Sequence, residues 1–260
     1  MEFETIRIEG DGPVRHLILN RPHVHNAVNR QFVSDMNAAL WELDRIKGLR
    51  VVILRGEGKS FCSGADLKDR PFNEPATSTV TRSKDSTHMV DILASLSPIT
   101  IACIHNYCIG GGAVLPAFCD FRIAAKSTKL TINEISIGVN LGWNSIPPVM
   151  QLVGAARAKE MIILGRTYEA DQLLEIGYVN EVVKDDDLIA AGERLAAHIC
   201  RQPPMPVWST KASINAYARA LDGSIQHLDH LAMAFMGKSP NTPIARKTYF
   251  DKSTPEYVDE

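Results

Sequence analysis

The segment CIHNYCIGGGAVLPAFCD, which runs from Cys103 to Asp120, places three consecutive glycines between two apolar runs. Glycine has no Cβ atom, so it permits a tight turn and lets another group approach the backbone closely. Three interpretations of Gly110–Gly112 follow: a close strand-to-helix crossing, a phosphate cradle, or an oxyanion hole built from backbone N–H groups. The segment matches neither G-x-G-x-x-G nor G-x-x-x-x-G-K-[ST], which argues against the phosphate cradle.

The runs on either side of this segment predict buried strands. ITIACIHN, starting at Ile99, and RVVILRG, starting at Arg50, are short, continuously apolar and rich in β-branched residues. Such runs are typical of strands that are buried on both faces of a sheet. DFRIAA, starting at Asp120, is a third and shorter case. Nearer the N-terminus, Thr5–Glu9 and Val14–Leu19 predict two strands joined by a glycine-containing turn.

Helical patterns frame these strands. Apolar residues on one helical face predict a helix after the second strand: Phe32, Met36, Ala39, Leu40 and Leu43. From Asp185 onward the pattern is helical, with breaks at QPPMP and SPNTP. Asp69–His88 is polar, holds two prolines and many Ser and Thr, and predicts a mobile loop that covers a site. The order of elements predicts an α/β core followed by a helical C-terminal third.

Composition narrows the class of protein. The chain has 260 residues, 45% of them hydrophobic and 22% charged, and a net charge of −2, which argues against a nucleic-acid surface. The five cysteines are odd in number and form no C-x-x-C pair, which predicts reduced thiols in a cytoplasmic compartment and no metal site. No apolar stretch approaches about 18 residues, so no membrane span is expected.

A second glycine turn lies upstream of the triplet. GKSFCSGADLKD follows the strand RVVILRG and turns at Gly64. Two strand ends in one sheet, each followed by a glycine turn, would aim two backbone N–H groups at one point, as an oxyanion hole requires. The plainer interpretation is an ordinary turn followed by a helix that starts at Asp66.

Taken in order, SFCSGADLK, IHNYCIGGG, CDFRIAA, INEISIGV and GYVNEVV resemble the crotonase, or enoyl-CoA hydratase/isomerase, superfamily. LNRPHVHNAV near the N-terminus is similar too. The resemblance implies an α/β fold, the crotonase (ClpP-like) spiral of ββα units, in residues 1–195 and a helical trimerisation region in residues 196–260. It implies an acyl-CoA thioester substrate, with coenzyme A as part of the substrate and no separate cofactor. It also implies a homotrimer or a dimer of trimers, without nucleic-acid or membrane partners.

The resemblance carries three catalytic groups to this chain. The backbone N–H groups of Ala65 and Gly111 would hold the thioester oxygen as an enolate forms. Family hydratases carry two glutamates; here the first position is Val114, and the second is Glu134. A single glutamate suits a proton shuttle, which favours double-bond isomerisation of an enoyl-CoA. In some isomerases of the family the glutamate also follows an asparagine, as Glu134 follows Asn133.

Other reactions stay open at this point. Asn140, Trp143 or Asn144 could replace the carboxylate missing at Val114 and bind a water or the acyl group, so hydration, or a lyase reaction derived from it, is the alternative. A member that binds acyl-CoA without catalysis is a third possibility. Dehalogenase-type chemistry is disfavoured, because the nucleophilic aspartate of that branch would fall at Gly142.

Substrate contacts are also inferred from the resemblance. The expected substrate- or CoA-binding residues are Ser63, Asp66, Leu67, Lys68, Val114, Trp143, Tyr249 and Lys252. Lys252 would reach CoA from a neighbouring subunit. His23 and His25 form an H-x-H turn that is more typical of solvated histidines than of a metal site. His105, at a strand end, is expected to be a hydrogen-bonded structural residue.

Overall fold

The computed structural model describes residues 2–69 and 75–258. Its larger sheet has six strands in the order β1-β2-β3-β4-β6-β9, in which β1 is antiparallel to β2 and every other neighbouring pair is parallel. The strands are β1 Ile6–Glu9, β2 Val14–Leu19, β3 Val51–Gly56, β4 Ile99–Ile104, β6 Phe121–Ala125 and β9 Glu181–Val183. The predicted strands of the N-terminal half are therefore confirmed.

A smaller sheet carries the segments nearest the glycine triplet. It consists of β5 Tyr107–Ile109, β7 Lys129–Thr131 and β8 Thr167–Glu169, with β5 parallel to β7 and β7 antiparallel to β8. The helices in the first half are α1 Arg30–Arg45, α2 Ala76–Ser95 and the single turn α3 Gly111–Val114. Those in the second half are α4 Ile146–Leu164, α5 Ala170–Glu175, α6 Leu188–Cys200, α7 Pro204–Ala218, α8 Gly223–Met236 and α9 Asn241–Asp251.

The larger sheet is buried on both faces, as its apolar strands predict. Alternate side chains of a strand point to opposite faces. In β3, Val52 and Leu54 join the main core with α1, whereas Val51 and Ile53 join a second core with α6. Because β3 and β4 are parallel, their carboxyl ends lie at the same edge of the sheet. The segments that follow β3 and β4 both leave from that edge, but the glycine triplet itself comes directly after β5 of the smaller sheet, so the prediction of two glycine turns at strand ends of one sheet is wrong for the triplet.

The prediction of a mobile loop over Asp69–His88 is wrong for much of that range. Residues 70–74 lie outside the described part, but α2 runs from Ala76 to Ser95 and packs against α1 and α8. Its buried positions include Ser83 and Ser86 as well as apolar residues. Small hydroxyl side chains allow close helix contact, and they hide the apolar periodicity on which the sequence prediction depended.

The C-terminal third is helical, as predicted. The boundary between residues 195 and 196 falls inside α6, so the two predicted regions share a helix. The last helix, α9, packs against the turn that holds Glu134. In residues 2–69 and 75–258, no helix combines the length and apolarity that a bilayer crossing requires.

Candidate active site

The two glycine turns touch. The segments after β3 and β4 pair with one another, since Cys62 N–H donates to Tyr107 O at 3.1 Å and Ile109 N–H donates to Cys62 O at 3.0 Å. A Cβ atom on Gly64 would lie 2.5 Å from Ile109 O and 3.3 Å from Gly111 N. Gly64 also has φ +82°. Only glycine fits there, and its absence of a side chain brings the two turns together.

Two amides at this contact are unused, although their neighbours are paired. Asp66 N–H donates to Val28 O at 2.9 Å, and Gly110 N–H donates to Thr131 O at 2.9 Å. Within the described residues, the N–H groups of Ala65 and Gly111 donate no hydrogen bond. Gly111 is the first residue of α3, where a helix leaves its N–H groups without partners. The site thus offers two backbone donors from adjacent turns.

Glu134 brings a carboxylate to the same place. It follows β7 and precedes a 3-10 turn at Ile135–Ile137, and its carbonyl oxygen accepts hydrogen bonds from Ile137 N and Val139 N, both at 3.1 Å. Its side-chain Oε1 lies 3.0 Å from where a Cβ atom on Gly110 would be. The half-buried carboxyl group therefore lies against the first glycine of the triplet.

These groups face one cavity of about 230 Å³, which we call the site cavity. Eight predicted site residues line it: Ser63, Ala65, Leu67, Gly111, Val114, Glu134, Trp143 and Tyr249. Most of the lining is apolar or glycine. Electrostatic interactions with a developing charge are therefore stronger in the cavity than in water. The roles of these residues stay predictions, but the fold brings them together from five separate parts of the chain.

Three predicted substrate contacts lie outside this cavity. Asp66 pairs with Arg21 at 3.0 Å and accepts from Lys68 N–H at 3.2 Å, which gives its carboxylate a structural task. Lys68 is exposed, and Lys252 ends α9 with φ 52°. Neither lysine borders the site cavity within this chain, so the CoA-binding roles of all three stay predictions.

Two of the histidines singled out by sequence, His25 and His105, form local hydrogen bonds, whereas His23 is exposed. The ring of His105 is hydrogen-bonded to Gly58 O at 3.0 Å, as predicted, and burial lowers its pKa. His25 Nδ1 lies 3.0 Å from Ser60 Oγ.

The buried cysteines are not poised as nucleophiles. Burial raises the pKa of Cys62, Cys103 and Cys119 to about 12, which disfavours the reactive thiolate form.

Two features of the site are not evident from sequence. The Trp143 ring covers Gly111, because its Cη2 atom lies 2.6 Å from where a Cβ on Gly111 would be. Trp143 and Asn144 both have positive φ, 62° and 52°. Their backbone N–H groups face the carboxyl group of Asp229 in α8. Burial raises the pKa of Asp229 to about 6, and its Oδ2 atom has no hydrogen-bond partner among the described residues.

Asp229→Asn is expected to stabilise the protein at pH 7.5 but not at pH 4. The folded-state pKa of Asp229 is about 6 against an ordinary value of 3.8, so stability from this group is present at low pH and is lost as the pH rises through about 6. We expect an increase in unfolding free energy of about 1–2 kcal/mol at pH 7.5, less than the full shift implies because the group is partly exposed. Urea unfolding at both pH values measures this, and equal effects at the two would contradict it.

Comparison with known proteins gives concordant findings. A family model described as Enoyl-CoA hydratase/isomerase matches residues 9–259. A Mycobacterium bovis protein named "Probable enoyl-CoA hydratase" is 30% identical over 268 aligned positions, covering 99% of each chain. A mitochondrial Delta(3,5)-Delta(2,4)-dienoyl-CoA isomerase of Dictyostelium discoideum is 28% identical and covers 98% of this chain and 91% of its own. The crystal structure of an enoyl-CoA hydratase from Mycobacterium avium subsp. paratuberculosis superposes with a TM-score of 0.88 at 20% identity, covering 99% of this chain and 100% of that one, which shows a shared fold.

Proposed function

The chain belongs to the enoyl-CoA hydratase/isomerase family and is an acyl-CoA enzyme, and from this we propose that it moves a carbon–carbon double bond in an enoyl-CoA thioester. The observation that carries the proposal is the position of the Glu134 carboxyl group against Gly110, beside the unused N–H groups of Ala65 and Gly111. One carboxylate and two amide donors are the groups that a proton shift through an enolate needs.

The two amides would stabilise the intermediate. Removing a proton from C2 of a 3-enoyl-CoA sends its electron pair into the conjugated system, and negative charge gathers on the thioester oxygen. Fixed N–H dipoles in an apolar cavity need no reorganisation to meet that charge, and one such donor contributes about 3–4 kcal/mol where it has been measured in other enzymes.

Glu134 would move the proton. Its carboxylate takes the proton from C2 and, as the acid, returns it to C4, while the double bond moves from C3–C4 to C2–C3. No atom is gained or lost, so the reaction needs no second acid or base. This is why a single carboxylate among the described lining residues, with Val114 at the position of a second one, favours isomerisation.

An absorbance assay tests the proposed reaction. With a 3-enoyl-CoA, we expect absorbance of the conjugated thioester to rise in proportion to enzyme concentration. Measurable CoA binding without turnover of either 3-enoyl-CoA or 2-enoyl-CoA would contradict the proposal and identify a non-catalytic acyl-CoA-binding protein. A panel of acyl groups would then define chain-length preference.

Hydration of a 2-enoyl-CoA is a second candidate. It is supported by the hydratase names of relatives such as the M. bovis protein, and by polar side chains on one wall of the site cavity, namely Asn133 and Tyr249. Loss of conjugated absorbance with a 2-enoyl-CoA would identify it. A lyase reaction that begins with hydration would show the same loss followed by release of a shorter product.

Self-association is a further part of the proposal. Large apolar side chains stay exposed on α7, on α8 and in the turn between them, among them Tyr217 at 89%, Leu221 at 80% and Phe235 at 72%. A cavity of about 660 Å³, lined mainly by apolar groups, lies between α4 and α7. Exposed apolar surface of this extent is typical of an interface. Light scattering should give a mass three or six times the 28.6 kDa of one chain, and a monomer would contradict the homotrimer or dimer of trimers.

The five free cysteines support a reducing, cytoplasmic compartment.

A further inference from the structure

The last helix, α9, is hydrogen-bonded to the chain on both sides of the turn that holds Glu134. Asn133, just before Glu134, donates from Nδ2 to the Tyr249 hydroxyl oxygen at 3.0 Å. Just after the turn, Gly138 O accepts from Thr242 Oγ1 at 2.8 Å. Tyr249 and Thr242 both belong to α9. A region expected to serve oligomerisation therefore also builds part of the site within its own chain.

The Tyr249 hydroxyl has a proton left to donate. A phenol has one O–H donor and can accept hydrogen bonds through its oxygen. The Asn133 side-chain amide donates a hydrogen bond to the Tyr249 hydroxyl oxygen. Among the described residues, no acceptor receives a hydrogen bond from the Tyr249 O–H group. The side chain lines the site cavity and is 41% exposed. Its donor is thus available to something that enters the cavity.

The polar part of the cavity wall is small. Of the described side chains that line it, five carry an oxygen or nitrogen atom: Ser63, Asn133, Glu134, Trp143 and Tyr249. Ser63 donates to Val24 O at 3.3 Å, and the Trp143 ring packs on Gly111. Asn133, Glu134 and Tyr249 make up the rest of this polar lining, in which Asn133 and Glu134 are neighbours in sequence and Asn133 is hydrogen-bonded to Tyr249.

We propose that the Tyr249 hydroxyl contacts the substrate, donating a hydrogen bond to an oxygen at C3 of the acyl chain. This oxygen belongs to the water that adds to a 2-enoyl-CoA or to the hydroxyl of the 3-hydroxyacyl-CoA that results. The inference rests on the proposed function and extends it: the chain hydrates as well as isomerises, with a tyrosine in place of a second carboxylate.

The chemistry balances with the groups at hand. Glu134 takes one proton from the water while its oxygen forms a bond to C3. The C2–C3 π electrons move toward the thioester oxygen, where the amides of Ala65 and Gly111 hold the enolate. Glu134 then delivers its proton to C2. Tyr249 keeps its own proton throughout and orients the oxygen, and the net change is the addition of one water.

Two reactions of the same enzyme test this. We expect Tyr249→Phe to lower the rate of 2-enoyl-CoA hydration at least about tenfold, the effect of one lost hydrogen bond. Deuterium exchange at C2 of a saturated acyl-CoA in D₂O involves no oxygen at C3, so at saturating acyl-CoA its rate should fall clearly less than the rate of hydration does. Tyr257→Phe makes the same chemical change at an exposed position away from the cavity and should alter neither rate.

The outcomes separate the inference from the proposed function. Equal losses of hydration and exchange in Tyr249→Phe would show that the hydroxyl only positions Glu134, and would overturn the inference. So would unchanged hydration in that variant, or a wild-type enzyme that isomerises and exchanges but does not hydrate. A wild-type enzyme inactive in all three assays would overturn the proposed function, and this inference with it.

Discussion

Glu134→Gln is expected to lower kcat for double-bond isomerisation by about 10²–10⁴-fold. Glutamine has nearly the same shape and can occupy the space beside Gly110, but it cannot take up and return a proton. Binding of acyl-CoA should change little, because the amides of Ala65 and Gly111 and the apolar lining of the site cavity are unaltered. Stopped-flow turnover together with calorimetric titration of a saturated acyl-CoA separates the two effects.

A matched control excludes a general effect of losing a carboxylate. Glu175 is an exposed residue at the end of α5, and Glu175→Gln should retain full activity. If Glu134→Gln kept wild-type turnover, another group would have to carry the proton, and the assignment of the base would be wrong.

Gly110→Ala is expected to have the second-largest effect. The backbone at Gly110 has φ 54° and ψ −121°, which is unfavourable for any residue with a side chain. An added Cβ atom would lie 3.0 Å from Glu134 Oε1 and 3.2 Å from Asn133 Oδ1. The carboxylate and the strained backbone beside Gly111 must therefore shift, and because a misplacement of about 1 Å can cost about 10²-fold, we expect kcat to fall by up to about 10²-fold.

Gly110→Ala should also lower the stability of the fold, separately from its effect on kcat. We expect Gly110→Ala to lower the unfolding free energy by about 1–3 kcal/mol. Gly12→Ala is the control, because Gly12 has φ 67° and no atom within 4 Å of the added Cβ. It should cost about 1–2 kcal/mol from backbone conformation alone and leave kcat unchanged. An active Gly110→Ala enzyme would show that the contact with Glu134 is irrelevant to turnover.

Elements defined by local sequence patterns could be predicted, whereas elements that depend on packing between distant parts of the chain could not. Strands β3 and β4 are evident because continuous apolar, β-branched runs favour burial on both faces. The α2 helix is not, because Ser83 and Ser86 fill buried positions that normally hold apolar side chains. Its burial depends on packing against α1 and α8, which no local pattern records.

The site shows the same division. Ala65, Gly111 and Glu134 belong to short motifs, so the resemblance to a family identifies them. The contact between Asn133 and Tyr249 joins residues 116 positions apart, and the contact of Asp229 with the turn at Trp143 also spans distant elements. Neither leaves a periodic signal, because each arises only when the C-terminal helices fold over the site cavity. The sequence therefore predicts the proposed core groups, and also Trp143 and Tyr249 as substrate contacts, but it misses Asp229 and the contacts that Trp143 and Tyr249 make with distant elements.

A crystal structure with a bound acyl-CoA tests the central claim most directly. We expect the thioester oxygen to lie about 2.7–3.1 Å from both the Ala65 and Gly111 nitrogen atoms, with the C2 carbon next to the Glu134 carboxyl group. A thioester oxygen that instead faces solvent or a side chain, with those two amides still unpaired, would contradict the account.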